Sequence, residues 1–512
     1  MSVRLFSAAI NGIDAQLIEV EVDSSSGLHS FNIVGLPDKA VEESKDRIAS
    51  AIRNSNLTPP SSKNKKIIIN LAPADIKKEG PSYDLPIAIG YLLETGQIKF
   101  DPKNMLFAGE LALDGSIKHI NGTLAMAIMA KNKGFSELII PHSNIKEAAI
   151  ISGLNVIGVK SIDEVIYHLD GTRIIEPTQY SAESNDKETE ETSIFFIKGQ
   201  NGAKRALTIA AAGAHNILMS GPPGSGKTIL AKSLMGLLPP LTFEEAIEVA
   251  KIYSALGLIK NAPLSFKRPF RSPHHTASVP AVVGGGNSPR PGEISLAHRG
   301  VLFMDELPEF PRNVLESLRQ PLEDGTIAVS RVAGTMVLPA KFMLVAAMNP
   351  CPCGNYGDDR KPCICLPISV LKYRKKVSGP LLDRIDIQIN VPRGTLDDSN
   401  QKTGDTTVVS DIKSKIIRAR EIQNARFVGN GIYSNSEMDF KNIDKLANLD
   451  PKAENLLRYV LATKGLSLRS YHKIKKLSRT IADLEQSEAV GENHVAEAIS
   501  LRVNEHMFSE SI

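Results

Sequence analysis

An eight-residue stretch in the middle of the chain has the composition needed to bind phosphate groups. It matches the spacing G-x-x-x-x-G-K-[ST]. The stretch consists of Gly221, Pro222, Pro223, Gly224, Ser225, Gly226, Lys227 and Thr228. Its glycines allow backbone N–H groups to curl around a phosphate, Lys227 offers a positive charge, and the Thr228 hydroxyl is a ligand for Mg²⁺. The motif therefore predicts a binding loop for ATP with Mg²⁺.

This loop needs a strand before it and a helix after it, and the sequence predicts both. The run AHNILMS precedes the loop as a buried strand, and TILAKSLMGLL follows it with helical spacing. A glycine-rich turn arising by chance would lack these neighbours. A helix that begins at the loop also directs the positive end of its dipole at the phosphate.

Two adjacent carboxylates end a second apolar run, GVLFMDE. In a phosphate-binding α/β protein, the first acid, Asp305, is expected to bind Mg²⁺, and the second, Glu306, to act as the base that orients the attacking water. Successive side chains of an extended strand point to opposite faces, so we expect one acid to face metal and the other water. A solvated strand end is the alternative interpretation.

All four cysteines lie within fifteen residues, in two C-x-C pairs. They are Cys351, Cys353, Cys363 and Cys365. Four thiolates in one loop can hold a structural Zn²⁺ in tetrahedral geometry, although C-x-C is tighter than the usual zinc knuckle. Free thiols or disulfides are the competing interpretations, and a reducing compartment disfavours disulfides. We assign this site no catalytic role.

Length and charge narrow the class of protein. The chain has 512 residues, of which 42% are hydrophobic and 23% charged, typical of a globular protein with about three folded units. A net charge of +3 does not by itself indicate a nucleic acid or an anionic membrane as partner. The sequence predicts neither a spanning helix nor a signal peptide, so we expect a cytoplasmic protein with no membrane partner.

The pattern of elements predicts a multidomain α/β protein. Residues 1–172 alternate strand-like runs, at 16–22, 66–70 and 137–140, with helical runs such as 41–53 and 123–133, as in an α+β domain. Residues 173–193 form a polar, acidic linker. Residues 194–392 alternate buried strands with helices, which indicates a parallel sheet covered on both faces. After the polar stretch 393–407, the segments 411–426, 451–463, 470–483 and 492–503 have helical spacing, and no strand-like alternation interrupts them. We expect residues 393–512 to form a separate helical domain.

Several motifs together resemble the YifB/ComM family of magnesium-chelatase-like AAA+ ATPases. These are the phosphate loop, HRGVLFMDELPEF, AAMNPCPCG, SGPLLDRID and RTIADL. The resemblance covers nearly the whole chain. It implies that Asn349 helps to position the attacking water, that Arg384 reaches the nucleotide of the neighbouring subunit, and that Arg469 senses phosphate in its own subunit. A guanidinium suits such roles because it stays charged and offers a planar fork of donors.

Both arginines also have simpler interpretations. Arg384 could be a surface residue paired with Asp383 or Asp386. Arg469 belongs to a basic group that could instead be solvated or face DNA. That group contains Lys464, Arg469, Lys473, Lys475, Lys476 and Arg479.

The family resemblance implies an ATP-driven homo-oligomer, a hexameric ring, that acts on branched or single-stranded DNA and migrates branches during natural transformation. Two insertions resemble loops that line or approach the ring pore in this family. The first runs from Arg268 to Ser278 and is followed by the glycines 284–286, and the second is a hairpin with Arg331 near its tip. Ordinary packing between subunits is an equal alternative for any single residue in them. The rival functions are a chelatase-type ATPase that remodels a protein partner, an ATP-dependent protease, and a slow-turnover scaffold.

The N-terminal part resembles the catalytic domain of Lon proteases, which implies a ribosomal-protein-S5-like fold. Ser82 falls where that family has its nucleophile, but the position of the family's lysine base matches Leu124. A serine nucleophile needs a base. We therefore expect a domain that keeps the fold of this family but has no intact Ser-Lys dyad and no protease activity.

Overall fold

Short apolar runs in the N-terminal part pair into a seven-stranded mixed sheet. The structure, a computed structural model, describes residues 2–62, 64–179, 199–259, 264–285, 290–331, 334–358, 360–393, 406–429 and 431–502. The strands of the first compact unit are β1 (Val3–Asn11), β2 (Asp14–Ser26), β3 (Ser30–Val34), β4 (Lys65–Ala72), β5 (Met105–Phe107), β6 (Glu110–Leu111), β7 (Ile117–Lys118), β8 (Glu137–Pro141) and β9 (Asn155–Val159). The sheet order is β3-β4-β2-β1-β5-β8-β9, with β6 and β7 as a separate pair.

Alternation of side chains sets which face of this sheet is buried. In β4, Ile67, Ile69 and Leu71 are buried, whereas the residues between them are partly exposed. The strands β1, β2 and β4 are antiparallel, and β5, β8 and β9 run parallel. The predicted strands at 16–22, 66–70 and 137–140 are confirmed within β2, β4 and β8.

The helices of the first unit pack around this sheet. Their bounds are Lys39–Glu42, Ser44–Asn54, Asp84–Glu94, Thr123–Asn132, Ile145–Ala148, Ile162–Leu169 and Phe243–Ala255. The predicted helix from 41 to 53 is broken at Glu43, and the predicted helix from 123 to 133 is confirmed at Thr123–Asn132.

One segment lies in a different unit from the one expected. The first unit contains residues 1–186 together with Phe243–Ser265, although the sequence pattern assigned the latter to the α/β core. The Ser254 hydroxyl donates to the buried carboxylate of Glu147, Lys251 pairs with Asp14, and the Gly122 N–H donates to the Ser254 carbonyl. These polar contacts and the apolar face of the helix Phe243–Ala255 hold the segment in the first unit. Helical spacing alone cannot tell which unit a helix packs against.

The second unit is built on a five-stranded parallel sheet. Its strands are β10 (Ile217–Ser220), β11 (Phe270–Arg271), β12 (Gly284–Gly285), β13 (Arg290–Pro291), β14 (Val301–Met304), β15 (Thr326–Arg331), β16 (Gly334–Pro339), β17 (Met343–Met348) and β18 (Ile387–Asn390). The main sheet has the order β11-β14-β17-β10-β18, and all four of its pairings are parallel. The strands β10, β14 and β17 are buried throughout, as their continuous apolar runs predict.

The helices of the second unit include the C-terminal group. Their bounds are Asn201–Gly213, Lys227–Ser233, Val279–Val283, Glu293–Leu296, Arg312–Ser317, Pro321–Asp324, Pro367–Arg374, Gly379–Leu382, Thr406–Arg426, Ile443–Ala447, Pro451–Lys464, Leu468–Leu484 and Glu492–Ser500. The helical spacing predicted after residue 410 is confirmed. However, these C-terminal helices share one apolar core with the helix Asn201–Gly213 and the sheet, so 199–242 and 266–502 form one compact unit. The expected boundary near 393 does not separate two cores.

Parts of three predictions lie outside the described residues. The acidic linker is described only up to residue 179, where the Thr178 N–H donates to the Val156 carbonyl. Residue 286 of the glycine run and the side chain of Arg331, near the tip of the β15–β16 hairpin, are also outside the description. Within the described ranges, no helix combines the length and the apolar character needed to cross a membrane.

Candidate nucleotide-binding site

The phosphate-loop motif connects β10 to the helix Lys227–Ser233, as predicted. Gly226, the residue before this helix, has a φ of +89°, in the left-handed region that glycine adopts without strain. The loop therefore turns sharply into the helix, so that the first N–H groups of the helix are free of intrahelical partners. Such N–H groups attract anions.

Lys227 lies under the loop, in the interior of the site. Its Nζ donates to the carbonyls of Gly221, at 2.7 Å, and Pro222, at 2.9 Å, and lies 3.3 Å from Oδ1 of Asn349. Burial lowers the pKa of Lys227, and the carboxylates of Asp305 and Glu306 act in the opposite direction. The ammonium group is thus fixed between the loop and the end of β17.

Thr228 and Asp305 meet although they are 77 residues apart in the chain. The Thr228 hydroxyl donates to Oδ2 of Asp305 over 2.8 Å. Two neighbouring oxygen ligands of an octahedral Mg²⁺ lie about 2.9 Å apart, because each Mg–O bond is about 2.0–2.1 Å. The two oxygens therefore have the chemistry and the spacing to bind one Mg²⁺ side by side.

Glu306 is not on an extended strand, contrary to the prediction. The strand β14 ends at Met304, and Glu306 has a φ of +51°, in the left-handed region. Its N–H donates to Oδ1 of Asp305 at 2.9 Å, and a short 3₁₀ turn follows at Leu307–Glu309. A turn, rather than strand alternation, therefore separates the two carboxylates. This is an uncommon conformation for a residue other than glycine, and such residues cluster at functional sites.

His275 is a neighbour of Glu306 that the sequence pattern did not reveal. Its Nδ1 lies 3.7 Å from Oε2 of Glu306, and its ring packs edge-on against Phe310 and close to the ring of His274. The sequence marked the segment that contains His275 as an insertion but gave no residue in it a role at the carboxylate. Only the fold brings the two side chains together.

Strand ends and the phosphate loop enclose one cavity of about 440 Å³. Its lining comprises Pro223, Gly224, Ser225, Gly226, Lys227, Thr228, Ile229, Asp305, Glu306, Met348 and Asn349. The structure thus collects most of the predicted nucleotide-site residues around one volume. Gly221 and Pro222 contribute through their carbonyls, which bind Lys227.

Arg384 and Arg469 do not line this cavity. Both instead bind the carboxylate of Glu323: Arg469 Nη2 lies 2.6 Å from Oε1, and Arg384 Nη2 bonds to Oε2. Arg384 therefore has neither Asp383 nor Asp386 as its partner, the two considered from sequence. Arg469 lies beside Arg384 rather than among the phosphate-binding residues of its own chain, which differs from the expected sensor role within one subunit.

The basic group around Arg469 is largely buried and paired. Lys473 binds Asp386, Lys475 binds Asp444 and Glu454, and Arg479 binds Asp483. Burial would raise the pKa of Asp386, but Lys473 and His215 lower it below its usual range. Lys475 and Arg479 are buried and Lys473 is paired, whereas Lys464 and Arg469 are exposed. The six cations therefore do not together form one solvated or DNA-facing surface.

The four cysteine sulfurs form one cluster. Sγ of Cys351 lies 3.4 Å from that of Cys353 and 3.6 Å from that of Cys363, and one ligand atom from each of the four cysteines lies within 4.8 Å of the others. A disulfide needs an S–S distance of about 2.05 Å. Backbone N–H groups of Asn355 and Ile364 lower the pKa of Cys353 to about 6, which favours the metal-binding thiolate. The cluster could hold a metal ion.

The cysteine loop packs directly on the phosphate loop. A Cβ added at Gly354 would lie 2.5 Å from Cδ of Pro223, so only glycine fits at this contact. Arg374 braces the loop from the other side, with its guanidinium 4.6 Å from the ring centre of Tyr356 and its Nε bound to the Pro350 carbonyl. The cysteine cluster therefore supports the cavity wall.

Three family models of magnesium-chelatase subunits match most of the chain. The family described as "Magnesium chelatase, subunit ChlI" matches residues 194–399, "Subunit ChlI of Mg-chelatase" matches 20–144, and "Magnesium chelatase, subunit ChlI C-terminal" matches 407–502.

Individual relatives match over nearly the full length. The chain is 44% identical to "Competence protein ComM" of Haemophilus influenzae over 97% of each chain, and 41% identical to "Uncharacterized protein YifB" of Escherichia coli over 96% of this chain and 95% of that one. "Lon protease 2" of Bacillus subtilis is 29% identical over 32% of this chain and 31% of its own. The chain therefore belongs to the YifB/ComM family of magnesium-chelatase-like AAA+ ATPases.

Proposed function

We propose that the protein is an ATP-hydrolysing ring motor that acts on DNA and moves the branch points of recombination intermediates. The observation that carries the proposal is the cavity in which Lys227, Thr228, Asp305, Glu306 and Asn349 converge. A protein that only bound a nucleotide would not need a carboxylate placed next to the metal-side acid. The near-full-length identity to a competence protein supports DNA as the substrate.

In this proposal the phosphate loop and Asp305 bind the nucleotide. The loop N–H groups and Lys227 hold the β- and γ-phosphates, and the oxygens of Thr228 and Asp305 hold Mg²⁺. The ion supplies charge neutralisation at the phosphates when it is bound. Lys227 is held between the Gly221 carbonyl and Asn349, so its position at the phosphates is prepared before ATP binds.

Glu306 and Asn349 act on the attacking water. Glu306 accepts its proton, because the Glu306 carboxylate lines the cavity and is 55% exposed, which leaves room for a water molecule. Asn349 orients the water from the end of β17. The left-handed turn at Glu306 directs this side chain separately from Asp305, which remains bound to Thr228.

The two arginines are proposed to act across a subunit boundary. Within one chain they bind Glu323 away from the cavity, and the matching family is described as a subunit of magnesium chelatase. A neighbouring subunit of a hexameric ring would bring its nucleotide to them. A guanidinium that reaches a γ-phosphate in this way stabilises the charge of the transition state.

The proposal predicts that DNA stimulates ATP hydrolysis by the purified protein. We expect the largest increase with a four-way junction or fork, a smaller one with single strands, and the smallest with blunt duplex, at equal nucleotide concentration. The measurement is phosphate release with each DNA and without DNA, and Lys227→Ala serves as the blank. Hydrolysis that no DNA alters would contradict the proposal and favour the second candidate, a chelatase-like ATPase that remodels a protein partner, which the family matches support.

We also propose that the four cysteines hold a structural Zn²⁺. Zn–S bonds of about 2.3 Å place the sulfurs of a tetrahedral site about 3.8 Å apart, close to the 3.4 and 3.6 Å found here. All four ligands come from the protein, so this site would leave no position for a substrate.

The zinc proposal predicts about one Zn²⁺ per chain in protein purified without chelator, measured by elemental analysis. Cys351→Ser combined with Cys363→Ser is expected to lose the metal and to lower the melting temperature, because metal binding contributes to folding. The control replaces Ser414, which is partly exposed, and Ser500, which is exposed, with alanine. A metal-free wild-type protein with four thiols that react freely would contradict the proposal.

The N-terminal unit is proposed to serve as a binding platform rather than as a protease. Leu124 is fully buried, and its N–H donates to Glu147. An apolar side chain at this position cannot take the proton from Ser82. A shared fold does not by itself imply shared chemistry.

A further inference from the structure

One carboxylate holds both arginines of the proposed inter-subunit site. Oε2 of Glu323 accepts from Arg384, and Oε1 accepts from Arg469 at 2.6 Å. Burial would raise the pKa of Glu323, but the bonds from the two arginines lower it, so the group is ionised near neutral pH. Two guanidinium groups that share one carboxylate would repel each other without it.

The two arginines differ in how firmly they are held. Arg384 is 7% exposed, and it also donates to the carbonyls of Arg319, at 3.0 Å, and Pro380, at 2.7 Å. Arg469 has a side chain that is 46% exposed, and Glu323 is its one recorded partner within the described ranges. Glu323 is therefore the residue that connects the exposed guanidinium of Arg469 to the buried one of Arg384.

A second connection joins the helix of Arg469 to Arg384. The Lys473 Nζ donates to the Arg384 carbonyl at 2.8 Å and also binds the Asp386 carboxylate. Lys473 lies one helical turn after Arg469, on the same helix, Leu468–Leu484. The backbone at Arg384 and this helix therefore move together, which leaves the Glu323 carboxylate as the link that sets the spacing of the two guanidinium groups.

Glu323 also lies at the base of the β15–β16 hairpin. It is part of the short helix Pro321–Asp324, and β15 begins at Thr326. The Ala340 N–H donates to the Gly325 carbonyl at 2.9 Å and closes the base of the hairpin. Two residues, Asp324 and Gly325, thus separate Glu323 from the first residue of the hairpin, and a shift of the carboxylate is transmitted to that base.

We propose that Glu323 is a positioning residue that makes Arg384 and Arg469 one two-arginine unit for the nucleotide of the adjacent subunit and joins this unit to the β15–β16 hairpin. The proposal rests on the proposed ATPase function. When the arginines move towards a phosphate, the carboxylate moves with them and tilts the hairpin. Glu323 itself touches neither the nucleotide nor the water.

The test compares Glu323→Gln with wild type in steady-state ATP hydrolysis. Glutamine keeps the shape and one acceptor but loses the charge that holds two cations. We expect kcat to fall about 10- to 100-fold, the range that a misplacement of about 1 Å produces in a reacting site. KM for ATP and the affinity for a fluorescent ADP analogue should stay within about twofold, because the phosphate loop is unchanged. The residual hydrolysis should no longer respond to branched DNA.

Glu497→Gln is the matched control. The Glu497 side chain is 29% exposed, against 31% for Glu323, and it binds Arg205 through two bonds of 2.8 and 2.9 Å in the same unit. We expect its kcat and its response to DNA to match wild type. Glu323→Asp, which keeps the charge but is too short to reach both arginines, should lower kcat like Glu323→Gln, and it serves if the glutamine variant does not fold.

The outcomes separate this inference from the proposed function. If wild type does not hydrolyse ATP, the proposed function fails. If wild type is active and a folded Glu323→Gln or Glu323→Asp keeps the wild-type kcat and response to DNA, the inference is overturned. The inference is also overturned if a Glu323 variant binds the ADP analogue more weakly than wild type but has the wild-type kcat.

Discussion

Replacing Lys227 with alanine is expected to abolish productive nucleotide binding, with a loss of affinity of about 100-fold or more. The Lys227 ammonium is buried and lies between the loop carbonyls and Asn349, where it faces the phosphates in the proposed complex. Removing one partner of a buried charge pair costs about 2–5 kcal/mol, and each 1.4 kcal/mol is a tenfold change in affinity. The measurement is a titration with a fluorescent ADP analogue in the presence of Mg²⁺.

Lys232→Ala is the control for this result. Lys232 belongs to the same helix, Lys227–Ser233, but its side chain is exposed. It carries the same charge, so a general effect of net charge on nucleotide affinity would appear in both variants. Equal affinity of Lys227→Ala and wild type would show that the cavity is not the nucleotide site.

Replacing Glu306 with glutamine is expected to stop turnover while leaving binding intact. A positioned general base contributes about 10²- to 10⁴-fold to a rate, so kcat should fall by this amount. Nucleotide affinity should change little, because Lys227, Thr228 and Asp305 remain in place. The measurement pairs single-turnover hydrolysis with the fluorescent titration used for Lys227.

Glu309→Gln is the control for Glu306→Gln. Glu309 lies three residues further along, is 41% exposed and binds Lys376 outside the cavity. It should hydrolyse ATP at the wild-type rate. Hydrolysis by Glu306→Gln at the wild-type rate would refute the assignment of Glu306 as the base. The next candidate base would be His275, whose Nδ1 lies 3.7 Å from Oε2 of Glu306.

The phosphate loop and the strand ends were predictable because the signals are local. A loop of fixed spacing follows a buried strand, and the carboxyl ends of neighbouring parallel strands meet at one edge. Asp305 follows β14 and Asn349 follows β17, and these two strands are neighbours in the sheet. The sequence therefore located most of the cavity before the fold was known.

What the sequence could not reveal depends on contacts between distant residues. Glu323 is 61 residues from Arg384 and 146 from Arg469, and nothing in its local pattern marks it as their common partner. Lys473 and Arg479 bind the buried carboxylates of Asp386 and Asp483, whereas a helical run of cations in the sequence predicts an exposed face. The assignment of Phe243–Ala255 to the first unit has the same cause, because an amphipathic helix does not encode which surface it covers.

The left-handed conformation of Glu306 shows a different limit. An apolar strand that ends in two acids predicts continued alternation through Glu306, and the structure ends the strand two residues earlier, at Met304. The bond from the Glu306 N–H to Asp305 stabilises the turn, and Pro308 in the 3₁₀ segment that follows favours leaving the strand. A site that departs from local preference is where sequence reasoning is expected to fail.

The most direct test of the central claim is the conversion of a labelled four-way DNA junction into duplex arms by the purified protein. With ATP and Mg²⁺, we predict that wild type dissociates the junction, and that Glu306→Gln binds it without dissociating it. A non-hydrolysable ATP analogue should block conversion by wild type. A protein that hydrolyses ATP but leaves every junction intact, or one that converts junctions without hydrolysis, would contradict a motor that moves DNA branches.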